Sequence, residues 1–384
     1  MIRVLLFTLL LIQWVAGCSD HEGTQGSERF DAEYAEKAEQ VLTEHQQSSA
    51  FMGNIVVLKN GQQIFQYSSG FSQIEENLRN SESTGFRIGS VSKIYTAAAI
   101  FKAIEQGRLS LDDILGEYFP MIESAERITI AHLLQHQSGI ANYTSEPSFR
   151  NYHVEGITKE ELLNVISSMP REFDADSQTQ YSNSNYFLLA NILETVYQLP
   201  YAEIINNEIV QPLQFSNTYH PLSKTLSEKE AASYDYTGTW ELLPTTSPSS
   251  SFGAGSLVST ADEVGFFLHQ LMIGNVVNES SLISMKDIER GFGMGLQQIS
   301  AGAYNGFGHG GKVDGFESIA VHFPQGNLTI AIISNGTSQN LNPLMVNLAK
   351  ATSEKRNNRL RKSKQSFLQG VTLKPQILQK PLPL

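Results

Sequence analysis

The step from Gly89-Ser90 straight into a long apolar helix constrains this chain more than any other stretch of it. From Val91 onward Ile94, Ala97, Ala98, Phe101 and Ile104 recur with helical spacing until Gly107, which predicts one buried helical face with glycine as its stop. A serine at such a helix start meets free N–H groups and the positive end of the helix dipole, both of which favour an alkoxide or oxyanion. Lys93 follows Ser90 by one helical turn, so its amine can reach the hydroxyl. This is the arrangement of serine-nucleophile chemistry, with Ser90 as the nucleophile. In a chain of this length about one or two Ser-x-x-Lys spacings arise by chance, so the reading depends on partners elsewhere.

With 384 residues, 41% of them hydrophobic, the chain can bury a sizeable core. Its start carries Arg3, then the apolar run Val4 to Ile12, then Val15-Ala16-Gly17-Cys18, the pattern of a secretory signal peptide. The run is shorter than the roughly 20 residues of a membrane span. Val15-Ala16-Gly17-Cys18 resembles a bacterial lipobox, and the chain's one cysteine, Cys18, falls where such a signal is cleaved. Lipidation at Cys18 and a periplasm-facing anchor in the bacterial envelope are therefore expected. Ser19 after the cysteine leans towards the outer membrane by the same resemblance. Ser19 to about Arg29 is polar and contains Gly and Ser, the composition of a flexible tether. Lys355 to Leu384 holds eight basic residues and no acid, while the whole chain sums to −12, leaving −20 for the rest. The expected division is a signal peptide over 1–17, a lipidated tether over 18–30, a folded body over 31–352 and a basic tail over 353–384.

Within the body, Asn54 to Lys59, Asn60-Gly61 and Gln62 to Gln66 form a hairpin signal, because Asn-Gly supplies the positive φ angles of a two-residue turn. A second hairpin is expected from Ser318 to Phe323, a Pro324-Gln325-Gly326-Asn327 turn, and Leu328 to Ser334. Helix starts are legible between them: Thr129 before Ile130, and Thr158 with Glu161 and Thr260 with Glu263 as capping boxes. A last helix begins at Pro343. The pattern predicts an α+β fold in which terminal strands and helices share one sheet-based domain with a helical insert.

Two further stretches qualify as partners for Ser90. Tyr181-Ser182-Asn183 precedes a helical run, and a tyrosine there serves as a base only if a cation such as Lys93 stabilises its phenolate. Asn183 can bind a substrate amide. Gly308-His309-Gly310-Gly311-Lys312 combines glycines, which allow close backbone approach, with a histidine that ordinarily titrates near neutrality.

Taken in this order, Ser90-Val91-Ser92-Lys93, Tyr181-Ser182-Asn183 and His309-Gly310-Gly311 resemble the serine β-lactamase and penicillin-recognising carboxypeptidase family, closest to its class C, DD-carboxypeptidase, D-aminopeptidase and esterase branch. The resemblance extends to His132 through Gly139, Pro212-Leu213 and Gly253 through Thr260, and covers roughly 50–350. It implies a β-lactamase/transpeptidase-like fold: an antiparallel sheet flanked by helices plus a helical domain, with the site in the cleft between. It also implies that Ser90 attacks a carbonyl, that Lys93 and Tyr181 move its proton, and that water hydrolyses the acyl-enzyme. Asn183, His309 and Gly311 would line the substrate, and the backbone N–H groups of Ser90 and Lys312 would form the oxyanion hole.

The chain departs from the family at two places. Ala175-Asp176 stands where relatives usually have Pro-Gly, so a differently shaped approach to Tyr181 is expected. His309 and Gly310 stand where β-lactamases carry Lys and Thr, which points away from efficient antibiotic hydrolysis and towards a peptide, D-amino-acid amide or ester. The alternatives are an envelope-anchored penicillin-binding sensor with little turnover and a true class C-like β-lactamase.

His132 and His136 share a helical face, but without a third ligand they read as a structural pair, and no metal or cofactor is expected. Asn142-Tyr143-Thr144 and Asn335-Gly336-Thr337 match the glycosylation pattern and are assigned no role. The acidic body argues against nucleic acid, since a phosphate-binding surface needs clustered cations. The expected partners are a small-molecule or peptide substrate and the membrane, reached through the lipid on Cys18. A monomer is expected.

Overall fold

The computed structural model describes residues 22–353. The stretch read as a signal peptide, Cys18 and the basic tail beyond 353 lie outside the described residues. Six strands form one antiparallel sheet: β1 (Phe51–Lys59), β2 (Gln62–Ser69), β3 (Gln297–Ala301), β4 (Tyr304–Val313), β5 (Phe316–Phe323) and β6 (Leu328–Thr337), in the order β2-β1-β6-β5-β4-β3. Both expected hairpins are present, with Asn60 and Gly61 at φ +52° and +77° as the turn requires.

The run Ile55-Val56-Val57-Leu58 lacks the polar alternation of a half-exposed strand because both sheet faces are covered. Val56 and Leu58 belong to the larger core. Ile55 and Val57, one step out of phase, belong to a second. The second core is closed by helices α1 (Glu22–Ser48), through Tyr34, Ala38 and Leu42, and α7 (Asn342–Ser353), through Leu344, Met345 and Leu348. The stretch read as a flexible tether is thus corrected: from Glu22 it is the start of α1. Tyr34, Ala38 and Leu42 recur at i, i+4 and i+8 and dock on the sheet, and a helix anchored this way propagates beyond its anchored turns.

The larger core lies on the opposite face and continues into the helical part, which contains α2 (Ser92–Glu105), α3 (Lys159–Ser168), α4 (Asn183–Tyr197) and α5 (Pro248–Gly255). Helix α6 (Ala261–Met272) packs Val264, Phe267, Leu268 and Leu271 in this core. Its cap is a second correction. Thr260 accepts from Glu263 N, but the Glu263 carboxylate turns away to Ser216 N, Asn217 N and the Thr218 hydroxyl, so the reciprocal half of the capping box is missing. The Thr158 box is complete. Among the described residues no helix is long and apolar enough to cross a membrane.

Candidate active site

A single turn of 3-10 helix, Gly89–Val91, hands the chain from the sheet side to α2 and presents Ser90 between them. Glycine is required at 89: φ is +50°, and a Cβ there would come within 2.8 Å of Lys312 N. The facing position is equally tight, since a Cβ on Gly311 would meet Ile88 O at 2.3 Å and Ser90 N at 3.0 Å. Gly311 lines the cleft, and its missing side chain makes room for the Ser90 turn. The Ser90 nitrogen thus packs against Gly311, and the Lys312 nitrogen against Gly89.

Three elements converge on the Ser90 hydroxyl. Lys93, on the first turn of α2, brings Nζ within 3.1 Å of Ser90 Oγ. Tyr181, ahead of α4, donates its O–H to Ser90 Oγ at 2.7 Å. Lys93 Nζ also contacts Asn183 Oδ1 at 2.7 Å and Ala254 O at 2.6 Å. Lys93 is 0% exposed, and burial without a carboxylate holds its pKa well below the ordinary lysine range. A neutral amine has two N–H donors and one lone pair, and these three neighbours match that inventory: two carbonyl-type acceptors and one hydroxyl. Burial raises the Tyr181 phenol, and the Lys93 amine 4.8 Å from its ring centroid is neutral, so no cation stabilises a phenolate there. Tyr181 is a hydrogen-bond donor here.

The Lys93 contact with Ala254 is built by strain. Phe252 sits at φ 34°, ψ −138°, a kink inside α5, with its ring buried. Beyond the kink Gly253 packs so closely on α4 that a Cβ would come within 2.3 Å of the Ala190 Cβ, and Gly253 O accepts from Thr96 Oγ1 at 2.7 Å.

Asn183 has a role that sequence reasoning missed. Its Oδ1 is taken by Lys93 and its Nδ2 donates to Thr144 Oγ1 at 2.9 Å, while its backbone N–H donates to Asn142 Oδ1. The glycosylation-like Asn142-Tyr143-Thr144 stretch therefore fixes which way the Asn183 amide faces. The polar pair around a buried tyrosine was the available signal. Asn335 is likewise internal, donating to Phe71 O and Ala232 O.

His132 and His136 part company. His132 Nδ1 accepts from Thr129 N, completing a cap, whereas His136 is buried under Tyr181 with ring centroids 4.5 Å apart and accepts from Ser182 N. His136 thus supports the Tyr181 turn. Asp176 adopts φ +65°, the left-handed region that ordinarily favours glycine, and its N–H donates to Gln137 O at 3.0 Å.

His309 is 3% exposed and contacts the carbonyl of Gly310 through Nδ1; burial, then Lys93, pushes its pKa down to about 3. It is neutral at any ordinary pH, and Nδ1–H donation leaves Nε2 as an acceptor. The cleft has two lobes that meet at Ser90 and Lys312. One, of about 380 Å³, includes Tyr143, Asn183 and Asp314; the other, of about 420 Å³, includes Tyr181, Phe292, His309 and Gly310.

Comparison with known proteins agrees with this architecture. The beta-lactamase family model matches residues 36–351. Teichoic acid D-alanine hydrolase of Staphylococcus aureus is 27% identical over 234 residues, 60% of this chain and 56% of that protein, so the chain spans little more than half the length of the curated relatives it matches. Among solved structures, D-amino acid amidase from Ochrobactrum anthropi SV3 superimposes with TM-score 0.74 at 23% identity, covering 86% of this chain and 99% of that one. D-stereospecific amidohydrolase from Streptomyces sp. gives 0.69 at 24% identity, with 79% and 94% covered. The penicillin binding protein from Bacillus halodurans gives 0.69 at 22%, with 82% and 97% covered. These likenesses establish a shared fold.

Proposed function

Because the chain belongs to the beta-lactamase family, we propose that it is a serine hydrolase that turns over D-amino-acid amides or esters through an acyl-enzyme. The observation that carries this reading is the neutral Lys93 amine, seated against Ser90 with its two N–H donors already engaged. Lys93 takes the Ser90 hydroxyl proton as Oγ bonds to the substrate carbonyl carbon. The carbonyl oxygen, now negative, is held by the N–H groups of Ser90 and Lys312. When the scissile bond breaks, Tyr181 gives its proton to the leaving group and recovers one from the Lys93 ammonium. Water then attacks the ester, its proton accepted by the same pair, and Ser90 is restored.

The named relatives support the substrate class, since one acts on D-alanine of teichoic acid and another is an amidase of D-amino acids. The side chains agree: His309 is neutral, and Gly310 offers no hydroxyl where a carboxylate-binding site needs one. We extend the proposal to an envelope lipoprotein anchored through Cys18, testable by detergent partitioning of wild type and Cys18→Ser.

The deciding experiment is intact-mass analysis with a fluorophosphonate, together with burst kinetics on a nitrophenyl ester. A single adduct on Ser90 and a stoichiometric burst are expected. An adduct on another serine, or an unchanged rate in Ser90→Ala, overturns the assignment; one adduct with no turnover favours the sensor reading.

A further inference from the structure

We propose that Asp314 is the anchor for a free α-ammonium on the acyl group, so that the protein selects aminoacyl donors with an unblocked amine. The inference rests on the hydrolase reading above and adds the direction in which substrate lies. The proton donor Tyr181 borders only the lobe it shares with His309 and Gly310, so the leaving group departs into that lobe. The substituents of the acyl carbon then occupy the other lobe, whose walls include the apolar groups of Tyr143, Phe149 and Val313. About 380 Å³ is room for an amino-acid side chain.

Among the described residues Asp314 is the one carboxylate bordering that lobe. It is clamped from behind, since Oδ2 accepts from Thr246 N at 2.9 Å and Oδ1 from Thr246 Oγ1 at 2.6 Å. Each oxygen keeps capacity for a further donor. Among the described residues no cation lies within ion-pair distance of it: the nearby buried Arg87 feels its charge at longer range, but faces Glu230 at 3.8 Å and donates to Thr246 O. Of the other charged or titratable groups on this lobe, Lys312 is exposed at the shared rim and His153 is half-buried. A fixed carboxylate without a salt-bridge partner, in a lobe of mixed polar and apolar walls next to the nucleophile, is complementary to an ammonium beside a hydrocarbon side chain.

The test compares three nitroanilides at pH 7: D-phenylalanine, N-acetyl-D-phenylalanine and 3-phenylpropionic acid. Wild type should favour the free amine over both others by at least about tenfold in kcat/KM, and Asp314→Asn should lower that ratio by about ten- to a hundredfold. The wild-type ratios are a test by themselves should the variant melt early. Equal rates on all three, or a ratio unmoved in folded Asp314→Asn, overturn the inference while Ser90 acylation stands. Absence of any acylation at Ser90 overturns the hydrolase reading and this inference together.

Discussion

In the proposed reaction Lys93 carries the chemistry at the scale of single residues, and its burial is what fits it to act as the base. Its pKa lies below the lysine range, so the competent, neutral form is lost as pH falls through that depressed value and retained above it. His309, neutral above about 3, contributes no limb near neutrality, and Tyr181, raised by burial, keeps its proton in alkali. On a neutral nitrophenyl ester, which has no amine to titrate, a kcat/KM profile flat from above the depressed Lys93 value through pH 9 is expected. Lys93→Arg, permanently charged, should lose at least about 10²-fold at every pH, and substantial activity in it would remove Lys93 as the base. Thr144 acts through Asn183: Thr144→Val should cut kcat by about tenfold by freeing the amide to flip, with Thr144→Ser restoring most of it. An unchanged kcat in Thr144→Val would dismiss that role. At the third motif, a Cβ on Gly310 would meet only Ser318 O at 3.8 Å, so a larger residue fits. His309→Lys with Gly310→Thr should therefore raise kcat/KM for carboxylate-bearing substrates over neutral esters by about ten- to a hundredfold. A flat ratio in that double variant would place carboxylate recognition elsewhere in the cleft.

Among the elements, the junction between strand β4 and the Gly89–Val91 turn is the tightest part of the site. Gly89→Ala adds a Cβ at φ +50° and 2.8 Å from Lys312 N, so it costs about 1–2 kcal/mol of backbone strain before any clash. The clash displaces one of the two N–H groups beside Ser90, and kcat should fall about 10²- to 10³-fold with KM changed far less. Melting temperature and kinetics measured together would check this: loss of stability with normal kcat would mean that the turn only shapes the fold. The kink in α5 works in the same sense, because the strained Phe252 backbone delivers Ala254 O to Lys93.

For the molecule as a whole, buried neutral histidines set the acid limit. His220 and His322 are held at about 4 and His309 at about 3, all chiefly by burial, while the unfolded chain titrates near 6.5. The unfolded state therefore binds more protons between those values, so stability is full above about pH 6.5 and declines as pH drops towards 3 to 4. Melting temperatures taken from pH 7 to pH 4 should fall steadily, and His322→Asn should flatten the slope if it folds. A melting temperature constant to pH 4 would contradict the neutral burial. The same core explains why the acidic body tolerates its charge: among the described residues the one buried ion pair is Arg87 with Glu230, and most other charges stay at the surface.

The order of chemistry was legible in the sequence because it is local: Ser90 and Lys93 are one helical turn apart, Asn60-Gly61 dictates a hairpin, and Tyr181 announces the start of α4. Helical and strand periods likewise gave the layers, since burial imposes them on each element separately. What the tertiary structure decided is everything that depends on residues distant in the chain. Ala254 reaches Lys93 across 161 positions and Thr144 reaches Asn183 across 39, and neither contact leaves a trace in spacing. Protonation states belong to the same class: the sequence offers a lysine, a tyrosine and a histidine with ordinary affinities for protons. Only their shared exclusion from water lowers the Lys93 amine, raises the Tyr181 phenol and keeps His309 neutral, the states that the proposed reaction uses.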